Sequence, residues 1–215
     1  MKQIPFKEKQ TILFQGDSIT DCERDKEDPD SLGRGYANMV AAFFNALHPE
    51  MRLRFVNRGI SGNRVIDLKQ RWHNDCIALR PSWVSIMIGI NDVWRRYDSN
   101  DPTAVEAFEN DYRKILSDTQ QQIGAQLILC EPFVLPHPQD RVAWREDLDP
   151  KIQVVRKLAR EHGALYVPLD GLFASSTMLR EPEFWAEDGV HPTQAGHALI
   201  AHHWLTHVGA IKTVH

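Results

Sequence analysis

Cysteine is scarce in this 215-residue chain: Cys22, Cys76 and Cys130 are odd in number, far apart and at no zinc-binding spacing. That excludes a disulfide framework and implies reduced thiols with structural roles. Long apolar runs are missing as well. None approaches the roughly 20 residues of a membrane-spanning helix, so no membrane partner is expected. Positive charge is not in excess. A formal net charge of −4 and a pI of about 6.2 lack the electrostatic footprint of a nucleic-acid partner. Lys2 is not followed by an apolar segment, so no signal peptide is expected and the expected compartment is the cytoplasm. Repeats, low-complexity tracts and linkers are absent, and the length suits one domain over residues 1–215. Apolar residues at 42% and charged residues at 25% give the balance of a soluble globular fold.

What the chain does contain is an alternation of short apolar runs and amphipathic stretches. Strands are predicted at Ile12–Phe14, Leu53–Val56, Val84–Ile88, Leu127–Cys130 and Leu165–Val167. Between them, Tyr36–Leu47 carries Val40, Phe43, Phe44 and Leu47 at helical spacing. Val65–Leu79 carries Val65, Leu68, Trp72, Cys76 and Leu79 ahead of Pro81. Helices are also predicted over Val105–Ile123 and Leu148–His162, each ending before a glycine, and from Pro192 to about His207. Alternating strands and helices imply a three-layer α/β/α fold with a five-stranded parallel sheet, in the expected order 2-1-3-4-5. Ligands in such sheets bind beyond the carboxyl ends of the strands, where the strand order switches. The turns at Ser18, Gly59–Asn63 and Gly89–Asp92 all fall at that mouth.

Gly16-Asp17-Ser18-Ile19 directly follows the first apolar run, so Ser18 is held at the mouth of the sheet. A serine hydroxyl attacks at neutral pH only when a base takes its proton. Asp188-Gly189-Val190-His191 offers an imidazole for that task and a carboxylate to orient it. Gly62 lets backbone approach a ligand closely, and Asn91 offers a neutral amide donor. Each feature alone also suits a turn: a positive-φ glycine at Gly62, an Asx-turn at Asn91. Asp17 and Asp92, beside Ser18 and Asn91, are expected to brace those turns.

Together, Gly16-Asp17-Ser18, Gly62, Gly89-Ile90-Asn91-Asp92 and Asp188-Gly189-Val190-His191 resemble the four blocks of the SGNH (GDSL-type) esterases and lipases. The resemblance spans nearly the whole chain, with Ile19 in place of the leucine of the named motif. It implies that Ser18 is the nucleophile, with Asp188 and His191 completing a triad. It further implies an oxyanion hole formed by the N–H groups of Ser18 and Gly62 and the Asn91 amide. No Gly-x-Ser-x-Gly elbow surrounds Ser18, which argues against the α/β-hydrolase fold. Residues 56–63 and 83–95 are similar to the intracellular bacterial acetylxylan esterases, which deacetylate xylo-oligosaccharides and assemble as homo-oligomers. That similarity implies a small acetylated saccharide as substrate, a homo-oligomer and no cofactor.

Sugars stack on aromatic rings, and Trp94 and Trp185 flank Asn91 and Asp188 at three residues' distance; Tyr97 and Trp144 are further candidates. Each of these rings is equally suited to a core or subunit contact. The charge-dense segment 22–35 reads as a solvated loop, and 131–147 as an irregular stretch that overhangs the site or joins subunits. His197, His202, His203 and His207 share the last helix, but without a neighbouring carboxylate they are not assigned to a metal. The expected activity is that of a serine esterase acting on acetylated carbohydrate. The alternatives are a lipid-like or thioester esterase, a metal hydrolase, and a carbohydrate-binding relative without catalysis.

Overall fold

The computed structural model describes residues 4–211. Its five strands are β1 (Thr11–Gly16), β2 (Arg54–Asn57), β3 (Trp83–Met87), β4 (Gln126–Cys130) and β5 (Leu165–Val167). They pair in parallel in the order β2-β1-β3-β4-β5. The helices are α1 (Ser18–Asp21), α2 (Tyr36–Leu47), α3 (Val65–Trp72), α4 (Ile90–Asp98) and α5 (Val105–Ile123), then α6 (Arg145–Glu161), α7 (Asp170–Ser176), α8 (Pro182–Trp185) and α9 (Gln194–His207). None is long and apolar enough to cross a membrane.

The sheet is covered on both faces, so its strands are apolar in both directions and successive residues enter different cores. Ile12 and Phe14 pack with α2 and α9, while Leu13 points into the core formed with α3, α5 and α6. Connections leave β1 towards β2 and return past it to β3. The ends of β1 and β3 therefore flank a crevice at the switch in strand order.

Several elements differ from the sequence reading for identifiable reasons. In α2 the buried stripe is Tyr36, Ala37, Val40, Ala41 and Phe44, whereas Phe43 and Leu47 are 56% and 51% exposed. Small Ala37 and Ala41 let α2 approach α9 closely, and that contact selects the stripe. The helix from Val65 stops being α-helical at Trp72 and widens into a π turn, His73–Ile77, closed by Ala78 N–H donating to His73 O at 2.8 Å. α6 begins at Arg145 rather than Leu148, with Pro150 inside its first turns. α9 begins at Gln194, two residues past Pro192, because the Thr193 hydroxyl caps it by accepting from Gly196 N–H. The turn expected at Gly89–Asp92 is the first turn of α4, and Ser18 opens the one-turn helix α1. α1 is a single turn, and the buried residues of α4, Ile90 to Val93, are consecutive and include the polar Asn91 and Asp92, so neither helix shows an apolar stripe.

Candidate active site

Ser18 follows β1 at once. Asp17 caps α1, its Oδ1 accepting from Ile19 N–H at 3.0 Å, which fixes the turn that presents the serine. His191 comes from 173 residues further along the chain, and its Nε2 lies 2.9 Å from Ser18 Oγ. Its Nδ1 lies 2.8 Å from Asp188 Oδ2. Because the carboxylate accepts, Nδ1 carries the proton and Nε2 presents its lone pair to the serine hydroxyl. Asp188 Oδ1 accepts from the backbone N–H groups of Val190 and His191 at 3.0 and 2.7 Å, so the loop closes on its own carboxylate. Gly189 at its apex adopts φ +80°, and a Cβ there would stand 2.0 Å from His137 O. Only glycine fits.

The segment 131–147 holds this loop from outside. Leu135 N–H donates to Gly189 O at 2.8 Å, and Arg141 Nε donates to Asp188 O at 3.2 Å. Its first half, through Phe133, Val134 and Leu135, is core rather than overhang. Arg141 stacks on Trp144 and Trp94, with its guanidinium carbon 4.0 and 5.0 Å from their ring centroids.

Two further segments follow β2 and β3, the strands on either side of β1. Gly62 has φ +83°, a backbone state that L side chains rarely adopt, and the space beside it is open apart from Arg95 Nη2 at 4.0 Å from an ideal Cβ. Asn91 is buried in α4. One of its amide N–H bonds goes to Asn63 O at 3.1 Å, and its Oδ1 accepts from Arg95 Nη2 at 3.5 Å. Asp21 Oδ2 accepts from both the N–H and the hydroxyl of Ser61, at 3.0 and 2.8 Å, which anchors the residue before Gly62.

Burial raises the Asp188 carboxyl, but the bonds it receives from the His191 ring and from two backbone N–H groups outweigh that, leaving it well below the usual carboxylate range. The same bond from Asp188 raises His191 above its ordinary value, against partial burial and the nearby Arg141. Burial pushes Asp17 up to about 7, and it pushes Asp92 up to about 7 as well. Asp92 Oδ2 accepts from Val65 N–H at 3.1 Å and so ties α4 to α3. Both aspartates brace turns, and neither lies in the Ser18–His191–Asp188 chain of hydrogen bonds.

The aromatic candidates part company here. The Trp94 ring lies 5.7 Å from that of His191. Tyr97 is stacked on Trp144 at 5.2 Å with its hydroxyl on Ala143 O, and Trp185 gives its indole N–H to Ser176 O at 3.1 Å. Trp144 is 1% exposed and floors the cluster, so it has no free face for a sugar. Cys22 Sγ lies 3.3 Å from His197 Nε2, while His197 Nδ1 accepts from Tyr36 N–H. Burial lowers His197 to about 4, so the ring is neutral and donates to sulfur. His203 and His207 lie with ring centroids 4.1 Å apart, but among the described residues no third metal-ligating side chain joins them.

Comparison with known proteins decides the family. The model of the GDSL-like lipase/acylhydrolase family matches residues 14–199. An acetylxylan esterase from Geobacillus stearothermophilus is 37% identical over 206 residues, covering 92% of this chain and 93% of its own. The chain belongs to the GDSL-like lipase/acylhydrolase family. As a family member it is a carboxylic ester hydrolase. A GDSL-like protein from Parabacteroides merdae superposes with a TM-score of 0.93 at 35% identity, over 97% of this chain and all of its own. The Geobacillus esterase superposes with a TM-score of 0.88 at 36% identity, over 97% of each chain. Its catalytic mutants replace a serine, an aspartate and a histidine by alanine, the last two three positions apart. Within this family fold, Arg141 and Asp21 were not legible as site residues. Their bonds run to backbone or side chains of remote segments and leave no local motif.

Proposed function

We propose that this esterase removes acetyl groups from small carbohydrate esters, acetylated xylo-oligosaccharides foremost, by a Ser18–His191–Asp188 mechanism. The observation that carries the proposal is the continuous hydrogen-bond chain from Ser18 Oγ through the His191 ring to Asp188, at 2.9 and 2.8 Å. Ser18 Oγ attacks the acetyl carbonyl carbon as His191 Nε2 takes its proton. The oxyanion is met by the N–H groups of Ser18 and Gly62 and by the second amide N–H of Asn91. His191 then protonates the sugar oxygen as its bond to the acetyl carbon breaks, so the sugar leaves with a free hydroxyl and an acetyl-enzyme remains. Water, activated by the same nitrogen, releases acetate and restores Ser18.

The acetyl preference is supported by the likeness to an acetylxylan esterase. The Trp94 ring beside His191 supports a saccharide on the leaving-group side, as does the likeness to an acetylxylan esterase. Self-association belongs to the same proposal: the adjacent Met178 and Leu179, 81% and 80% exposed, are apolar surface that a second copy would cover. A single monomeric species by light scattering would remove that part.

The test compares hydrolysis of acetyl, butyryl and octanoyl p-nitrophenyl esters with acetate release from acetylated xylo-oligosaccharides, using Ser18→Ala as the blank. Acetyl preference with acetate release is expected, and Ser18→Ala should be inactive at an unchanged melting temperature. Octanoyl preference without release would move the function to lipid-like esters. Wild-type turnover by Ser18→Ala would reject the mechanism.

A further inference from the structure

Arg71 lies in the last turn of α3, and its side chain is only 15% exposed. Its guanidinium faces five acceptors. Nε donates to Asn63 Oδ1 at 2.8 Å. Nη1 donates to Gln15 Oε1 at 3.0 Å and to Arg58 O and Asp75 Oδ2, both at 2.8 Å. Nη2 reaches Gly16 O at 3.3 Å.

Four of these acceptors sort into two neighbouring segments, at the ends of β1 and β2. Gln15 and Gly16 end β1, directly ahead of Asp17 and Ser18. Arg58 and Asn63 bracket the turn after β2 that carries Gly62. Gly16 O also accepts from Ile60 N–H at 3.1 Å, so one carbonyl is held both by that turn and by the arginine. Asn63 is the junction. It follows Gly62, its side chain takes Arg71, and its carbonyl takes the Asn91 amide. The π turn after α3 supplies the counter-charge. Asp75 pairs with Arg71 through its carboxylate and accepts from Gln15 Nε2 at 2.8 Å through its carbonyl.

We propose that Arg71 is a positioning residue for ester hydrolysis: it registers the Ser18 segment against the Gly62 turn and, through Asn63, aims the Asn91 amide. It touches neither substrate nor reacting atoms. The proposal rests on the oxyanion-hole reading given above. Its physical basis is that misplacing a catalytic group by about 1 Å costs on the order of 10² in rate. Only a planar fork with five donors serves acceptors spread over two segments; a lysine supplies one point charge on a flexible stem.

Arg71→Lys is expected to lower kcat on p-nitrophenyl acetate by about 10–100-fold while KM moves less than about threefold. Asn63→Ala should act in the same direction. Combined, the two should cost clearly less than the product of their separate losses, because each breaks the same relay. Circular dichroism and melting temperature of every variant set the folded fraction to which kcat is referred. Where Arg71→Lys is not recovered folded, Asn63→Ala carries the test alone. Fully multiplicative losses, a rise in KM at constant kcat, or a loss that only tracks the folded fraction would each overturn the role of Arg71. An Asn91→Ala protein with wild-type kcat would instead overturn the oxyanion-hole reading on which the proposal stands, so the two failures are distinct.

Discussion

Replacing Asn91 by alanine separates chemistry from folding at one buried side chain. Asn91 gives one amide N–H to Asn63 O at 3.1 Å, and its second N–H is the proposed donor to the oxyanion. The first bond is present at all times and contributes to stability; the second strengthens only as negative charge develops. Loss of an ordinary hydrogen bond costs about 1 kcal/mol. In a domain of this size that lowers the melting temperature by roughly 2–4 °C. Loss of one oxyanion donor costs roughly 10²–10³ in kcat, or about 2.7–4 kcal/mol of transition-state stabilisation. Asn91→Ala is therefore expected to lower kcat for p-nitrophenyl acetate by two to three orders of magnitude, with KM nearly unchanged and a small shift in melting temperature. Steady-state kinetics and thermal melts on the same preparation measure both. A kcat within threefold of wild type would refute the assignment of Asn91, and so would a KM effect in place of a kcat effect.

Three further outcomes follow from the same geometry. In the proposed mechanism neutral His191 is the base, so activity should be lost as pH falls through its pKa, which Asp188 holds above the ordinary 6.5. Asp188→Asn should move that acidic limb of kcat/KM to lower pH and cut kcat by roughly 10⁴; an unmoved limb argues against the pair. The same two shifts bear on folding. Depression of Asp188 stabilises above its ordinary 3.8 and is lost as pH falls, while elevation of His191 stabilises below 6.5 and is lost as pH rises through its folded value. The melting-temperature gap between wild type and Asp188→Asn is thus expected to be widest between those limits. Trp94→Ala should raise KM for acetylated xylo-oligosaccharides by about tenfold, the worth of one stacking ring, and leave p-nitrophenyl acetate within threefold. Equal effects on both substrates would place Trp94 in positioning His191 rather than in holding sugar.

Much of the architecture is legible in the chain because parallel strands buried on both faces must be short and apolar, as Val84–Met87 and Leu127–Cys130 are. Phe43 and Leu47 show where that legibility ends. Their spacing with Val40 and Phe44 is helical, yet they face outward, since the neighbour that α2 packs against decides which of two overlapping apolar stripes is buried. Trp144 is the same lesson in the site. Its place near the mouth reads as a sugar platform, but Trp94, Tyr97 and Arg141 cover it.

Residue type and short-range spacing determined which groups are the candidates for the chemistry. A serine after an apolar run, an amide after a glycine and an aspartate three residues before a histidine have few other uses in combination, and that reading needs no knowledge of distance. Their meeting is a tertiary matter. Ser18 and His191 are 173 residues apart and come within 2.9 Å only because the sheet order folds both ends of the chain to one edge. The supporting groups were decided there too. Arg71, Asp21 and Arg141 act through bonds to segments that are distant in sequence, and an arginine on a helix carries no mark of which loops it will hold.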